Sequence, residues 1–128
     1  QNLRAIVCQR LVPSVQGGKV AAVEIMINTG YIADLISKLE LGGIKDAIER
    51  GGQYKMQSFD QHLVDLYKEG RIGAATAIEF ADSSSNVKIQ IKTADASKKL
   101  EASDWTNGLS LEPTEGDIDE DVIADLSR

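Results

Sequence analysis

Apolar residues along the chain recur at spacings that sort it into short helices, two candidate strands and a long polar end. In "LRAIVCQRLV" the positions Leu3, Ile6, Val7, Arg10 and Leu11 fall at helical intervals and Pro13 closes the run, so the spacing predicts a helix. "PSVQGG" is turn chemistry, and the β-branched run "KVAAVEIMI", residues 19–27, predicts a strand. Asn28 or Thr29 can cap the helix that follows, "GYIADLISKLE", whose Ile32, Leu35, Ile36 and Leu39 line one face. The pair Gly42-Gly43 breaks that pattern. A short helix in "IKDAIER" then turns Ile44, Ala47 and Ile48 inward before Gly51-Gly52 ends it.

Further on, Ser58 and Gln61 have the spacing of a capping box, in which each side chain satisfies a backbone donor of the other. The helix they open, "FDQHLVDLYKE", packs Phe59, Leu63, Leu66 and Tyr67, with Gly70 suited to its end. "RIGAATAIEFAD" predicts one more helix, with Ile72, Ala75, Ile78 and Ala81 inward. In "NVKIQIK" Val87, Ile89 and Ile91 alternate with polar residues, the pattern of a half-buried strand. From Thr93 onward no period is sustained, and acidic and small polar residues predict disorder because too little apolar surface is available to offset ordering entropy. The reading is a mixed α/β, predominantly helical fold with a disordered acidic tail over residues 93–128.

Charge sharpens that division. Residues 1–92 hold 11 basic and 10 acidic side chains, whereas residues 93–128 hold 3 and 10, so the net charge of -6 belongs to the tail. The scattered, balanced basic residues of the body leave no electrostatic footprint for nucleic acid. No signal peptide is visible and no apolar run approaches the ~20 residues of a membrane span, so a soluble cytoplasmic protein with no membrane span is expected. The chain starts without methionine and in mid-pattern, as a fragment would.

Candidate chemistry is thin. "QGGKVA" imitates a phosphate loop, but the pattern needs glycine where Pro13 stands and Ser or Thr where Val20 stands. Cys8, the one cysteine, is expected as a buried small hydrophobe in a reducing compartment. The one histidine, His62, has no second histidine or thiol cluster with which to build a zinc site, and a helix-packing or surface role is expected. Asp117, Asp119 and Asp121 start like a calcium loop, but Val122 occupies the position of its turn glycine and Arg128 that of its terminal glutamate. By its own residues the chain offers no catalytic, cofactor or metal site.

The string "LRAIVCQRLVP…GKVAAVEIMINTGYIADLI…IKDAIERGGQYKMQSFDQHLVDLYKEGRI" resembles the C-terminal part of the type IV pilus retraction ATPases, the PilT/PilU twitching-motility family. The resemblance runs over about residues 2–92. "RAIVCQRLVP" looks like the segment closing the RecA-like core, "YIADLI" like the family's signature helix, and "GGQYKMQSFDQHLVDLYKEGRI" like its conserved stretch. Phe59 and the polar extension favour the PilU-like branch. The signature helix departs from the family's pattern at Ala33, Asp34 and Ser37, and Lys55 stands where glycine is usual.

The resemblance implies the end of a RecA-like ATPase core over 1–27, a helical C-terminal domain over 28–92 and the tail beyond. It implies a hexameric parent that binds ATP and magnesium through Walker and Asp- and His-box segments before Gln1, all absent from this chain. That parent would power pilus retraction at the cytoplasmic face of the inner membrane. Its partners would be neighbouring subunits, a partner retraction ATPase and the inner-membrane platform protein. Tyr31, Asp34, Ser37 and Lys38 are the candidate interaction surface on the signature helix; the competing reading makes that helix a core element only. The acidic tail is either a solubilising extension or a docking segment. A stand-alone adaptor module, or a piece of a related assembly or secretion ATPase, are the alternative functions.

Overall fold

The structure, a computed structural model, describes residues 2–107, with side chains described as far as Glu101. Two compact units divide it, Gln1–Ser97 and Lys98–Arg128. The first contains a β-hairpin followed by short helices; of the second, the described part is the end of the last helix. The acidic residues 108–128 lie outside the described residues.

The predicted first helix is a strand. β1, Ala5–Pro13, pairs antiparallel with β2, Lys19–Ile27, in a register that sets Val12 against Val20 and Arg10 against Ala22. Helical spacing at residues 3–11 is overridden by the tight turn at Ser14–Gly18, where Gly17 and Gly18 take left-handed φ of 89° and 71° and bring a matching β-branched run alongside. One face of the ribbon puts Val12, Val20 and Ala22 into the core. Cys8, expected inside, is exposed, because it lies on the Val12 face of β1 but beyond the end of the ribbon that the core covers.

β2 is held along its other edge by side chains and by a short bridge. Ile25 and Gln57 exchange backbone hydrogen bonds of 2.9 and 3.1 Å, and the Gln57 amide donates to the Val23 carbonyl. The Val23 N–H donates to His62 Nδ1 at 2.8 Å, so His62 ties α3 to the sheet.

Helix α1 is Gly30–Ser37 and α2 is Gly42–Glu49, the latter starting at the glycine pair expected to precede it. A 3-10 turn, Gly51–Tyr54, leads to α3, Phe59–Lys68. The capping box at Ser58 and Gln61 is formed in both directions. Phe59, Leu63 and Leu66 are buried as their spacing implies, and Val64 joins them. α4, Ala74–Glu79, starts after Gly73, which shifts its phase so that Ala77 rather than Ala75 is buried.

The predicted last strand is also replaced. Residues 84–107 form one helix, α5, Ser84–Asn107, which includes positions 93–107 expected to be disordered. Val87 and Ile91 lie four apart as well as alternating, and as a helix they reach the core together while Ile89 is left 64% exposed. Two contacts favour the helix. The Tyr67 hydroxyl donates to Asp95 at 2.7 Å, and this carboxylate raises the phenol's pKa. Asp60, only 2% exposed, accepts from the Asp82 and Ser83 N–H groups at 2.8 and 3.0 Å, just where α5 begins.

Asp60 is the centre of a polar knot. Lys45 of α2 stands 4.0 Å from it and 3.8 Å from Asp82, and Arg10 of β1 pairs with Asp82 at 2.8 Å. The same guanidinium donates to the Phe80 carbonyl and stacks 4.0 Å above the Phe59 ring. Replacing the buried Asp60 by Ala removes the acceptor of two part-buried backbone donors, so Asp60→Ala is expected to lower unfolding stability by about 2–4 kcal/mol. Lys45→Ala, at a half-exposed ion pair, is expected to cost about 1 kcal/mol or less. Urea titration of both variants checks the ranking; equal losses would contradict it.

Candidate functional site

The signature-like segment folds as α1 because Thr29 caps it, accepting from the Ile32 N–H, and because Ile32 and Leu35 fall on the inward side. Ile32 packs with Met26, Ile48 and Met56, and Ile36 flanks that cluster. The opposite side carries all four predicted surface residues. Tyr31 is 63% exposed, Lys38 Nζ pairs with Asp34 Oδ2 at 2.8 Å, and the Ser37 hydroxyl donates to the Asp34 carbonyl at 2.8 Å. Asp34, Ser37 and Lys38 are thus brought together, with Tyr31 one turn away. The Asp34–Lys38 pair is solvent-exposed, so it adds little stability and can exchange for outside partners.

Leu39 departs from expectation. Its spacing predicts a place on the apolar face, but α1 stops at Ser37 and Leu39 turns away, 81% exposed with φ of 60°. Its N–H bonds the Ile36 carbonyl and the Glu40 N–H bonds the Leu35 carbonyl, the paired bonds of a Schellman turn. Lys55 likewise has φ of 62°, at the end of the 3-10 turn. Both positions favour glycine, and neither has it.

Beside Tyr31 opens a cleft of about 390 Å³, the feature that periodicity missed. Ala47 and Met56 give it apolar wall, Tyr31 and Tyr54 stand at its sides, and Asp46 and Arg50 supply charge. Neither Asp46 nor Arg50 forms an ion pair among the described residues. Their i, i+4 spacing on α2 is the one sequence signal that points to them. Among the described residues no cluster of His, Cys, Asp or Glu could hold a metal ion, and no helix is long and apolar enough to cross a membrane. A face of exchangeable charge and exposed tyrosine beside an open cleft suits recognition of another molecule.

Comparison with known proteins gives this surface a context. No family model matches the chain. Over 117 residues, 91% of the chain, it is 42% identical to the type IV pilus ATPase PilU of Pseudomonas aeruginosa. The chain belongs to the PilT/PilU family and is PilU-like. It is also 37% identical over 81 residues, 63% of its length, to the type IV pilus retraction ATPase PilT of the same bacterium. A third relative, the uncharacterized protein YggR of Escherichia coli, is 34% identical over 71 residues, 56% of the chain. The matches span 31%, 24% and 22% of those proteins' lengths, so the chain corresponds to about a third of them or less.

The two sides of α1 are expected to respond differently to substitution. Leu35→Ala leaves a cavity and should cost about 2–5 kcal/mol, while Asp34→Ala should change stability by about 0.5 kcal/mol or less. Leu39→Gly relieves a left-handed leucine and should stabilise the chain by about 0.5–1 kcal/mol. Thermal unfolding of the three variants reads the order directly, and a destabilised Leu39→Gly would contradict it.

Proposed function

We propose that the chain is the C-terminal portion of a PilU-like ATPase that powers type IV pilus retraction. In this reading residues 1–27 complete a RecA-like core and residues 28–92 are its helical C-terminal domain. The observation that carries the proposal is the 42% identity to PilU across 91% of the chain. The hairpin supports it. Since Asn28 N–H bonds the Arg4 carbonyl, the even positions of β1 pair inward and the backbone groups of Ala5, Val7, Gln9 and Leu11 face out. Among the described residues nothing covers them, and Val7 and Leu11 expose their side chains as well. Such an edge suits a strand that continues into further sheet.

ATP and magnesium would be held by the rest of the parent. The residues here do not fit a phosphate cradle: Gly17 donates its N–H back to the Ser14 carbonyl, and Lys19 is paired in β2. The parent would be a hexamer at the cytoplasmic face of the inner membrane, working with a partner retraction ATPase and the inner-membrane platform protein. The role of this portion would be mechanical. The buried side of α1 couples it to the body, and Tyr31, Asp34, Ser37 and Lys38 pass nucleotide-driven motion to neighbours.

The test uses the full-length protein carrying Asp34→Ala, with pilus retraction and ATP hydrolysis measured separately. Retraction is expected to fall while hydrolysis is retained. Unchanged retraction would remove the contact role from this face and leave α1 a core helix only.

A further inference from the structure

The cleft beside Tyr31 carries two opposite charges that the chain itself does not use. Asp46 lies on α2 and Arg50 is that helix's C-cap residue, so their Cβ atoms stand about 5–6 Å apart, one turn from each other. Side chains in that order commonly pair across the turn. Here neither meets the other, nor any further charged side chain among the described residues. Beneath them the floor is apolar, formed by Ala47 and the buried Met56. Gly51 keeps that floor low, since a Cβ there would collide with the Met56 side chain. Tyr31 and Tyr54, each more than half exposed, offer aromatic surface at the sides.

We propose that this cleft binds a free α-amino acid with an aromatic side chain. Asp46 takes the ammonium, Arg50 takes the carboxylate, and the ring enters between the tyrosines onto Ala47 and Met56. An ammonium and a carboxylate on one carbon match opposite charges one helical turn apart, and the guanidinium can hold the carboxylate through two parallel bonds. A simple anion would be opposed by Asp46 and a simple cation by Arg50, so the pair selects a zwitterion. Within a peptide those two charges are lost to the amide bonds, which favours the free amino acid over a chain segment. The cleft's 390 Å³ falls in the range of small-ligand sites and leaves room for a ring, and the tyrosines favour an aromatic one through stacked or edge-on contact. The inference shares only Tyr31 with the proposed contact role of α1 and does not depend on it; binding is measured without pili or nucleotide.

The test follows the amide NMR signals of the full chain during titration with L-phenylalanine. Signals of Tyr31, Ala47 and Tyr54 are expected to move saturably, with a Kd on the order of 1 mM or tighter, while that of Leu66 in the core stays in place. N-acetyl-L-phenylalanine and L-phenylalaninamide each lack one of the two charges. Both should bind the unaltered chain at least about tenfold more weakly, a loss of about 1.4 kcal/mol. Asp46→Asn should narrow the gap between L-phenylalanine and its N-acetyl form, and Arg50→Gln the gap between L-phenylalanine and its amide. A merely structural role for either side chain would not move those ratios. No saturable movement at about 10 mM L-phenylalanine, a response that spares the cleft, or equal affinity for the blocked ligands would overturn the proposal.

Discussion

A single buried carboxylate holds the ends of several elements in place. Asp60 sits in the first turn of α3, where a negative charge is favoured, and spends both oxygens on the backbone that enters α5. Through Lys45 and Asp82 it reaches α2 and β1, and Arg10 closes the knot on the Phe59 ring. Hydrophobic packing of Val12, Ala22, Phe59, Leu63, Leu66, Val87 and Ile91 supplies the main driving force. That packing is non-directional. The knot fixes which residue starts α5 and where β1 lies, because leaving either Asp60 oxygen unpaired in a buried site is costly.

This division explains which features were legible in the sequence. Local chemistry was: the capping box at Ser58, the caps at Thr29 and Gly70, the turn in "PSVQGG" and the inward residues of α3 follow from neighbours a few positions away. Elements decided by distant partners were not. Residues 3–11 fit a helical period, and only pairing with β2 makes them a strand. Val87, Ile89 and Ile91 fit a strand, but among the described residues no strand pairs with them, while Asp60, Tyr67 and the α3 face contact them as a helix. The tail reading failed at 93–107 for the same reason, since Asp95 gains a partner in Tyr67 that composition cannot reveal.

The candidate surface was half legible. Periodicity separated Ile32 and Leu35 from Tyr31, Asp34, Ser37 and Lys38, and the structure keeps that separation. It could not place Leu39, because a helix that stops one turn early reverses the side on which its last apolar residue falls. Nor could it reveal the cleft, whose walls come from α1, α2 and the 3-10 turn. One side of α1 packs against the body while the other is solvent-exposed, so sequence can vary on the exposed side without endangering the fold.

The central structural claim is that the knot makes hairpin and helices one cooperative body, a rigid support for the α1 surface. Native-state amide exchange across the described residues tests it most directly. The Asp82 and Ser83 N–H groups, with the Val23 N–H held by His62, should exchange only as fast as the core amide of Leu66, through global unfolding. Exchange of Asp82 and Ser83 at much lower free energy than Leu66 would show that α5 detaches by itself and would contradict the account.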